Sequence, residues 1–277
     1  LPLVRTRDKK LYFRRYYEYE KQVAETFGKR LIKENSERPF EGWDNDIFQS
    51  LDEQQMLAVK TALHKDLLLL TGGPGTGKTR TIVAIILAIL HRNPNSSIAL
   101  AAPTGKAAFR MRESILSSLE SFGLEDSLRS ALLASSRSTT LHRLLGTKFG
   151  SVDFLRNKDN PLHQDLVIID EASMVDLPLM SKLCASLRDE TKLVLVGDAD
   201  QLSPVQGGAV FNGLIKAPTA EDLLADNLVH LATNHEGLSV PHLLCLVSFA
   251  MLYGMVILRK HSLSQKVEPK VFVSLRI

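Results

Sequence analysis

Between Ser50 and about residue 235, short apolar runs alternate with stretches of helical periodicity. The runs are DLLLLT (66–71), SIALAA (97–102), DLVIID (165–170) and KLVLVG (192–197). Each is almost continuously apolar, the pattern of a strand whose sheet is covered on both faces. Between the runs, Ala108, Met111, Ile115, Leu119 and Phe122 keep a spacing of three or four residues, as do Met180, Leu183, Cys184 and Leu187. That spacing predicts helices with one buried face. Alternating strand and helix predicts an α/β fold, a parallel, doubly wound sheet with helices on both faces. No internal repeat interrupts the pattern.

The flanks read differently, and divide the chain into zones at 1–49, 50–235 and 236–277. LYFRRYYEYEKQVAETF (11–27) predicts a helix with Tyr12, Tyr16 and Tyr19 on one side and Phe13 and Tyr17 beside them. Such a stripe reads as a packing face, with a base-stacking platform as the alternative. SERPFEGWDND (36–46) reads as a linker broken by Pro39 and Gly42. Leu243 to Leu258 carries no charge over sixteen residues before Arg259 and Lys260. A spanning helix needs about 20 apolar residues, so this stretch is marginal as a membrane segment, and no membrane association is expected.

Composition adds bounds. The 277 residues suffice for one large domain or two small ones, and 44% apolar content supports a real core. A net charge of +3 is too weak to argue for nucleic acid by itself, but residues 1–33 hold ten Lys or Arg against four acids. This local excess marks an interaction segment. Cys184 and Cys245 have neither CxxC nor Cys/His spacing, so no zinc site is expected and the chain reads as a reduced, cytoplasmic protein. The first residue is Leu and no apolar signal core follows it, so the chain is expected to begin inside a longer reading frame.

The chemistry concentrates at TGGPGTGKTR (71–80). Gly72-x-x-x-x-Gly77-Lys78-Thr79 follows a predicted strand and opens a predicted helix, the context a phosphate-binding P-loop needs. Gly72, Gly73, Gly75, Thr76 and Gly77 would turn backbone N–H groups towards the phosphates, with Pro74 shaping the same nucleotide-binding loop, aided by the helix N-terminus. Lys78 would reach the β- and γ-oxygens, Thr79 would hold Mg²⁺, and Arg80 belongs to the same nucleotide-binding stretch. The bland reading is a flexible glycine loop before a core helix. LVIIDEAS places Asp170 and Glu171 at a strand end. Asp170 suits a Mg²⁺ contact and Glu171 the activation of an attacking water; paired acids facing solvent are the bland alternative. RNKDN (156–160) imitates the guanine-reading NKxD, but Asn160 stands where Asp is required and no apolar strand precedes it. Guanine specificity is therefore rejected.

Five segments occur in order from Leu51 to Phe211: LDEQQMLAV, AAPTGKAAFRMRESI, STTLHRLLG, VIIDEASMVDLPLM and LVLVGDADQLSPVQGGAVF. Together they resemble superfamily 1 DNA helicases, and within them the RecD family, the alpha subunits of exodeoxyribonuclease V in RecBCD complexes. The resemblance covers roughly residues 11–234. It implies a RecA-like P-loop NTPase fold, the first motor domain of such a helicase, using ATP and Mg²⁺. Gln55 matches the adenine-reading glutamine, with Gln54 as the register alternative. Pro103, Thr104, Gly105 and Lys106 match a motif that touches single-stranded DNA, and Thr140 and His142 fall in a second. Gln201 matches the residue that senses the γ-phosphate. Bland readings stand beside these: His142 as a core histidine, Lys106 as a solvated lysine at a helix start.

The family role so implied is an ATP-dependent 5′-to-3′ helicase subunit serving recombinational double-strand-break repair and DNA degradation. Its partners would be DNA ends and RecB-like and RecC-like subunits, with nuclease chemistry on the RecB type. The sequence departs from the family after LADNLVHLATNH, where Glu236 and Gly237 stand in place of an arginine and the start of a second motor domain. The chain by itself is accordingly expected to bind MgATP, to turn it over slowly and not to unwind duplex DNA. A non-catalytic ATP-binding fragment and a stand-alone RecD-like helicase are the alternatives.

Overall fold

In the computed structural model the described residues are 2–5, 11–32, 40–41, 43, 46–121, 138–148, 150–201, 210–215 and 227–231. The linker residues 36–39 and the whole of 236–277, with the uncharged stretch at 243–258, lie outside them, as do Phe122, Cys245, Arg259 and Arg276.

Six strands form one sheet: β3 (Leu67–Gly72), β4 (Ile98–Ala102), β5 (Ser138–Thr140), β6 (Leu166–Ile169), β7 (Lys192–Gly197) and β8 (Leu228–Leu231). They lie in the order β5-β4-β6-β7-β3-β8, and every neighbouring pair is parallel. The apolar runs are therefore two alternating sets. Leu68, Leu70, Leu100, Ile168, Val194 and Val196 point to one face, Leu67, Leu69, Ala101, Ile169, Leu193 and Leu195 to the other. A strand with period-two side chains buries both sets only if helices cover both faces, and here they do.

On the first face lie α3 (Glu53–His64), α4 (Lys78–Arg92) and α5 (Gly105–Ser121). Helix α4 is buried from Thr81 to Leu90 without a break, because it is wedged between the sheet and its neighbouring helices. Ala108, Met111 and Ile115 of α5 are buried, as their spacing predicted. The second face carries α1 (Arg14–Ile32), α6 (Leu141–Leu145), α7 (Leu177–Ser186) and α8 (Val210–Ile215), with Met180, Leu183 and Cys184 of α7 buried there. The four-residue α2 (Asp46–Gln49) seals the first face with Ile47 and Phe48.

Two expectations fail at the N-terminal side. The predicted helix from Leu11 begins instead at Arg14, because Leu11–Phe13 (β2) pairs antiparallel with Leu3–Arg5 (β1). Two β-strand-prone aromatic residues and a partner strand outweigh helical periodicity over one turn. The tyrosine side is not the packing face either: Tyr16 is exposed, whereas Val23 and Phe27 are buried among Cys184, Met180 and the sheet. Tyr19 alone of the stripe packs on that core. The stretch read as a linker also contributes to the core. Phe40 and Trp43 stack edge-on at 4.5 Å between centroids, and Phe40 meets Phe48 at 5.6 Å and His91 at 5.3 Å.

Candidate functional site

Because all six strands are parallel, their C-terminal ends share one edge. The register aligns them: Thr71 pairs with Gly197 and His230, Ile169 with Leu195 and Ala101, and Ala102 with Thr140. The loops after β3, β4, β6 and β7 and the helix that follows β5 therefore open on the same side. The connection after β4 runs outward to β5 while that after β6 runs the opposite way to β7, and such a switch point opens a crevice for a ligand.

After β3 the chain makes a tight loop, and α4 begins at Lys78. Gly77 caps that helix in the left-handed region at φ 83°, and a Cβ there would collide with the side-chain amide of Gln55. At Gly72 a Cβ would stand 2.6 Å from Thr76 Oγ1 and 2.9 Å from the carbonyl oxygen of Leu231. Neither position accepts a side chain, so both glycines are required by shape. Thr76 Oγ1 donates to the Gly73 carbonyl at 2.9 Å and closes the loop on itself. Lys78 Nζ donates to the carbonyls of Gly72 at 2.6 Å and Gly73 at 2.8 Å. The ammonium is thus parked over the loop on neutral acceptors. Anionic phosphate oxygens would be stronger acceptors in the same cradle.

Asp170 follows β6, its backbone N–H bonded to the Ala101 carbonyl at 2.9 Å and its Oδ1 accepting from the Glu171 N–H at 2.9 Å. Burial pushes its carboxyl up to about 6; the Glu171 N–H bond lowers it, the Glu171 charge adds to the rise and the Lys78 ammonium opposes it. Among the described residues Glu171 is the one non-glycine with positive φ, at 52°. Held left-handed, it opens a single 3₁₀ turn, Ala172–Met174. Local strain of about 1–3 kcal/mol is a common mark of working residues.

Strand β7 lies between β3 and β6, so its loop sits between the P-loop and the acid pair. Gln201 is in that loop: its Oε1 accepts from Ser173 Oγ at 3.2 Å and its carbonyl from Asn212 Nδ2 at 3.2 Å. Thr71 Oγ1 accepts the Ala199 N–H at 3.2 Å, tying the same loop to the P-loop strand. Gln55 is 7% exposed, with Nε2 donating to the Thr76 carbonyl at 3.4 Å and Oε1 accepting the Asp52 N–H at 3.3 Å. Gln55 thus touches the P-loop directly. Arg80 leaves the loop for Ser50 Oγ at 2.5 Å. Thr79 is half-buried in the first turn of α4.

Pro103 to Lys106 leave β4 beside the end of β5, and a Cβ on Gly105 would come within 4.0 Å of Thr140 Cγ2. The two strand-motif segments are therefore adjacent. Thr104 and Thr140 both have capping roles: Thr104 Oγ1 accepts the Ala107 N–H and Thr140 Oγ1 the Arg143 N–H, each at 3.2 Å. Each hydroxyl keeps its hydrogen for another partner. Thr104, Gly105, Lys106 and His142 are exposed, so His142 is not a core histidine; its ring meets Phe154 edge-on at 5.7 Å. Asn157 and Asn160 of the NKxD-like stretch donate to carbonyls of their own loop, at Phe154 and Leu155.

Three participants escape reading of the sequence. Ser173 and Thr71 lie at unremarkable spacings, and only the fold sets them against the β7 loop. Asp52 had a signal: Asp-x-x-Gln before an apolar period is a capping box, and both of its bonds form. Among the described residues no cluster of three or more His, Cys, Asp or Glu stands ready to hold a metal, and no helix is long and apolar enough to cross a membrane.

Comparison with known proteins shows the family. Residues 55–207 match a family model described as an AAA domain. The RecBCD enzyme subunit RecD of Mycolicibacterium smegmatis is 39% identical over 243 residues, 84% of this chain and 42% of that protein. The Haemophilus influenzae RecBCD enzyme subunit RecD is 41% identical over 177 residues, 62% of this chain and 27% of that one. The ATP-dependent RecD2 DNA helicase of Deinococcus radiodurans is 36% identical over 169 residues, 61% and 20% respectively. The chain spans 42% or less of the length of each of these curated relatives.

Proposed function

The chain belongs to the AAA domain family and is RecD-like in sequence, and from that premise we propose that it is the ATP-binding motor domain of a superfamily 1 DNA helicase. One observation carries the reading: Lys78, Asp170, Glu171 and Gln201 converge at the edge of the sheet that also presents Pro103–Lys106 and Thr140. Nucleotide chemistry and a strand path on one edge are what a translocating ATPase needs.

ATP with Mg²⁺ supplies the phosphoanhydride bond whose hydrolysis drives such a motor. Lys78 exchanges two carbonyl acceptors for phosphate oxygens, and Gly72 and Gly77 keep the cradle clear of side chains. Thr79 and Asp170 are the protein oxygens for Mg²⁺, an ion that commonly takes few side chains and completes its shell with phosphate and water. A carboxyl held up to about 6 by burial is restored to its ionised form by an adjacent divalent cation. Glu171 holds and deprotonates the attacking water. Gln201, tied through Ser173 to the turn after Glu171, reports the state of the phosphate site to the β7 loop. Gln55 offers its amide to an adenine edge. Arg80 follows Thr79 in the nucleotide stretch and is anchored on Ser50.

By likeness to the RecD subunits, the physiological setting is repair of DNA ends with RecB-like and RecC-like partners in the cytoplasm. The match to RecD2 favours a second reading, a helicase that works without those partners; co-purification with RecB-like and RecC-like proteins separates the two. The test of the main reading is nucleotide binding and ATP turnover with and without single-stranded DNA. Lys78→Ala is expected to lose nucleotide affinity, and Glu171→Gln to keep affinity while losing turnover. Equal affinity of wild type and Lys78→Ala would overturn the cradle, and failure of the chain to bind single-stranded DNA would overturn the motor.

A further inference from the structure

Phe109 lies on α5, one turn beyond Lys106, with its side chain 62% exposed. It belongs to neither core cluster, whereas Ala108, Met111 and Ile115 of the same helix are buried. An exposed ring of this size leaves a large apolar area in water. Its exposed helix neighbours are mostly cationic. Lys106 and Arg112 lie one turn before and one turn after it on the same side, Glu113 shares that side as the one acid among the described side chains of the helix, and Arg110 is exposed next to it. Helix α5 is seated on β5 by the bond from Ser138 Oγ to the Ala108 carbonyl at 2.5 Å. The next helix begins at that strand's end with His142 and Arg143, both exposed. Gly105, one turn before Phe109, is where a Cβ would come within 4.0 Å of Thr140 Cγ2, so the ring with Lys106 and Arg112 adjoins the Pro103–Lys106 and Thr140 segments.

We propose that Phe109 is a stacking platform for one base of a single-stranded nucleic acid whose phosphates run along Lys106 and Arg112. The inference rests on the strand path of the preceding section and adds to it the residue that engages a base. An aromatic ring between cations matches a strand chemically, because the backbone takes the cations and the π-face of any base takes the ring. Such a contact carries no sequence preference and no counterion release.

The test uses the full chain, fluorescence anisotropy and two oligonucleotides of equal length, oligo-dT and an abasic sugar–phosphate strand. Phe109→Ala is expected to weaken oligo-dT binding about 5-fold or more, to leave abasic binding unchanged and to leave the salt slope unaltered. Phe109→Trp should retain binding, and emission of the introduced indole should be quenched by oligo-dT but not by the abasic strand. Lys106→Ala should weaken both strands and flatten the salt slope by about 0.7, one phosphate contact. If Lys106→Ala behaves so while Phe109→Ala acts equally on both strands, or on neither, the stacking assignment is wrong and the strand path stands. If Lys106→Ala changes neither affinity nor slope, both fall. An introduced indole already shielded from acrylamide in the free chain would mean that the chain's own residues cover the ring, and would also overturn the proposal.

Discussion

At Asp170 a single carboxyl links pH, metal and stability. Its ordinary value lies near 4, and burial raises it to about 6 in the folded chain. Between those values the folded state binds more protons than the unfolded one, so ionisation costs stability as pH rises from about 4 through 6. Asp170→Asn should therefore melt a few degrees above wild type at pH 7 without metal, with the gap closing towards pH 4. Thermal melts at both pH values check this. Protons and Mg²⁺ compete for the same oxygens, so wild-type affinity for MgATP should fall below about pH 6, as titration calorimetry would show. Glu171 offers a separate test. Its φ of 52° disfavours any side chain with a Cβ. Glu171→Gly should be more stable than Glu171→Ala by about 1 kcal/mol in urea, although both lack the carboxylate.

Among the elements, α3 and α1 show what periodicity alone conveys. The capping box at Asp52 and Gln55 is written in four consecutive residues, and it forms as written. Asp52→Ala should cost about 1 kcal/mol and Asp52→Asn much less, measured by urea denaturation. Helix α1 shows the limit of the same reasoning. Its apolar residues were legible, but the face that packs was not, because aromatic residues on a helix look alike until a partner surface exists. That surface is α7: Gln22 Oε1 accepts from Ser181 Oγ at 2.9 Å, and Arg30 Nη2 donates to the Arg188 carbonyl at 2.7 Å. Phe27 is 3% exposed there. Phe27→Ala should cost about 3–5 kcal/mol of the main unfolding transition. An unchanged transition would mean that α1 unfolds independently of the sheet.

For the whole molecule, the parallel sheet makes the site a property of one edge, and ligand binding should stabilise the sheet that builds it. A non-hydrolysable ATP analogue with Mg²⁺ at about 100 times its Kd should add about 2.7 kcal/mol, a rise in Tm of roughly 5–10 °C. Gly77→Ala should remove the shift, because a Cβ meets the Gln55 amide and a left-handed φ. An undiminished shift in that variant would place the nucleotide elsewhere.

What the sequence determined by itself was local or additive. The strands could be read because burial on both faces demands apolar residues at every position. The cradle could be read because glycines at fixed spacing before Lys78 and Thr79 have few other uses. The acid pair could be read because it closes such a strand. What only the tertiary structure decided was relational. Nothing in the chain order places β7 between β3 and β6, yet that insertion sets Gln201 between phosphate loop and acids and lets Ser173 join them. Thr104 and Thr140 matched strand motifs by sequence, and the fold added that each caps a helix, one on either face of the sheet. Phe109 lies inside the AAPTGKAAFRMRESI segment, but the sequence assigns it no role of its own. Its exposure arises because the sheet already fills the opposite face of α5, and side-chain direction on a helix is settled by what the other face buries.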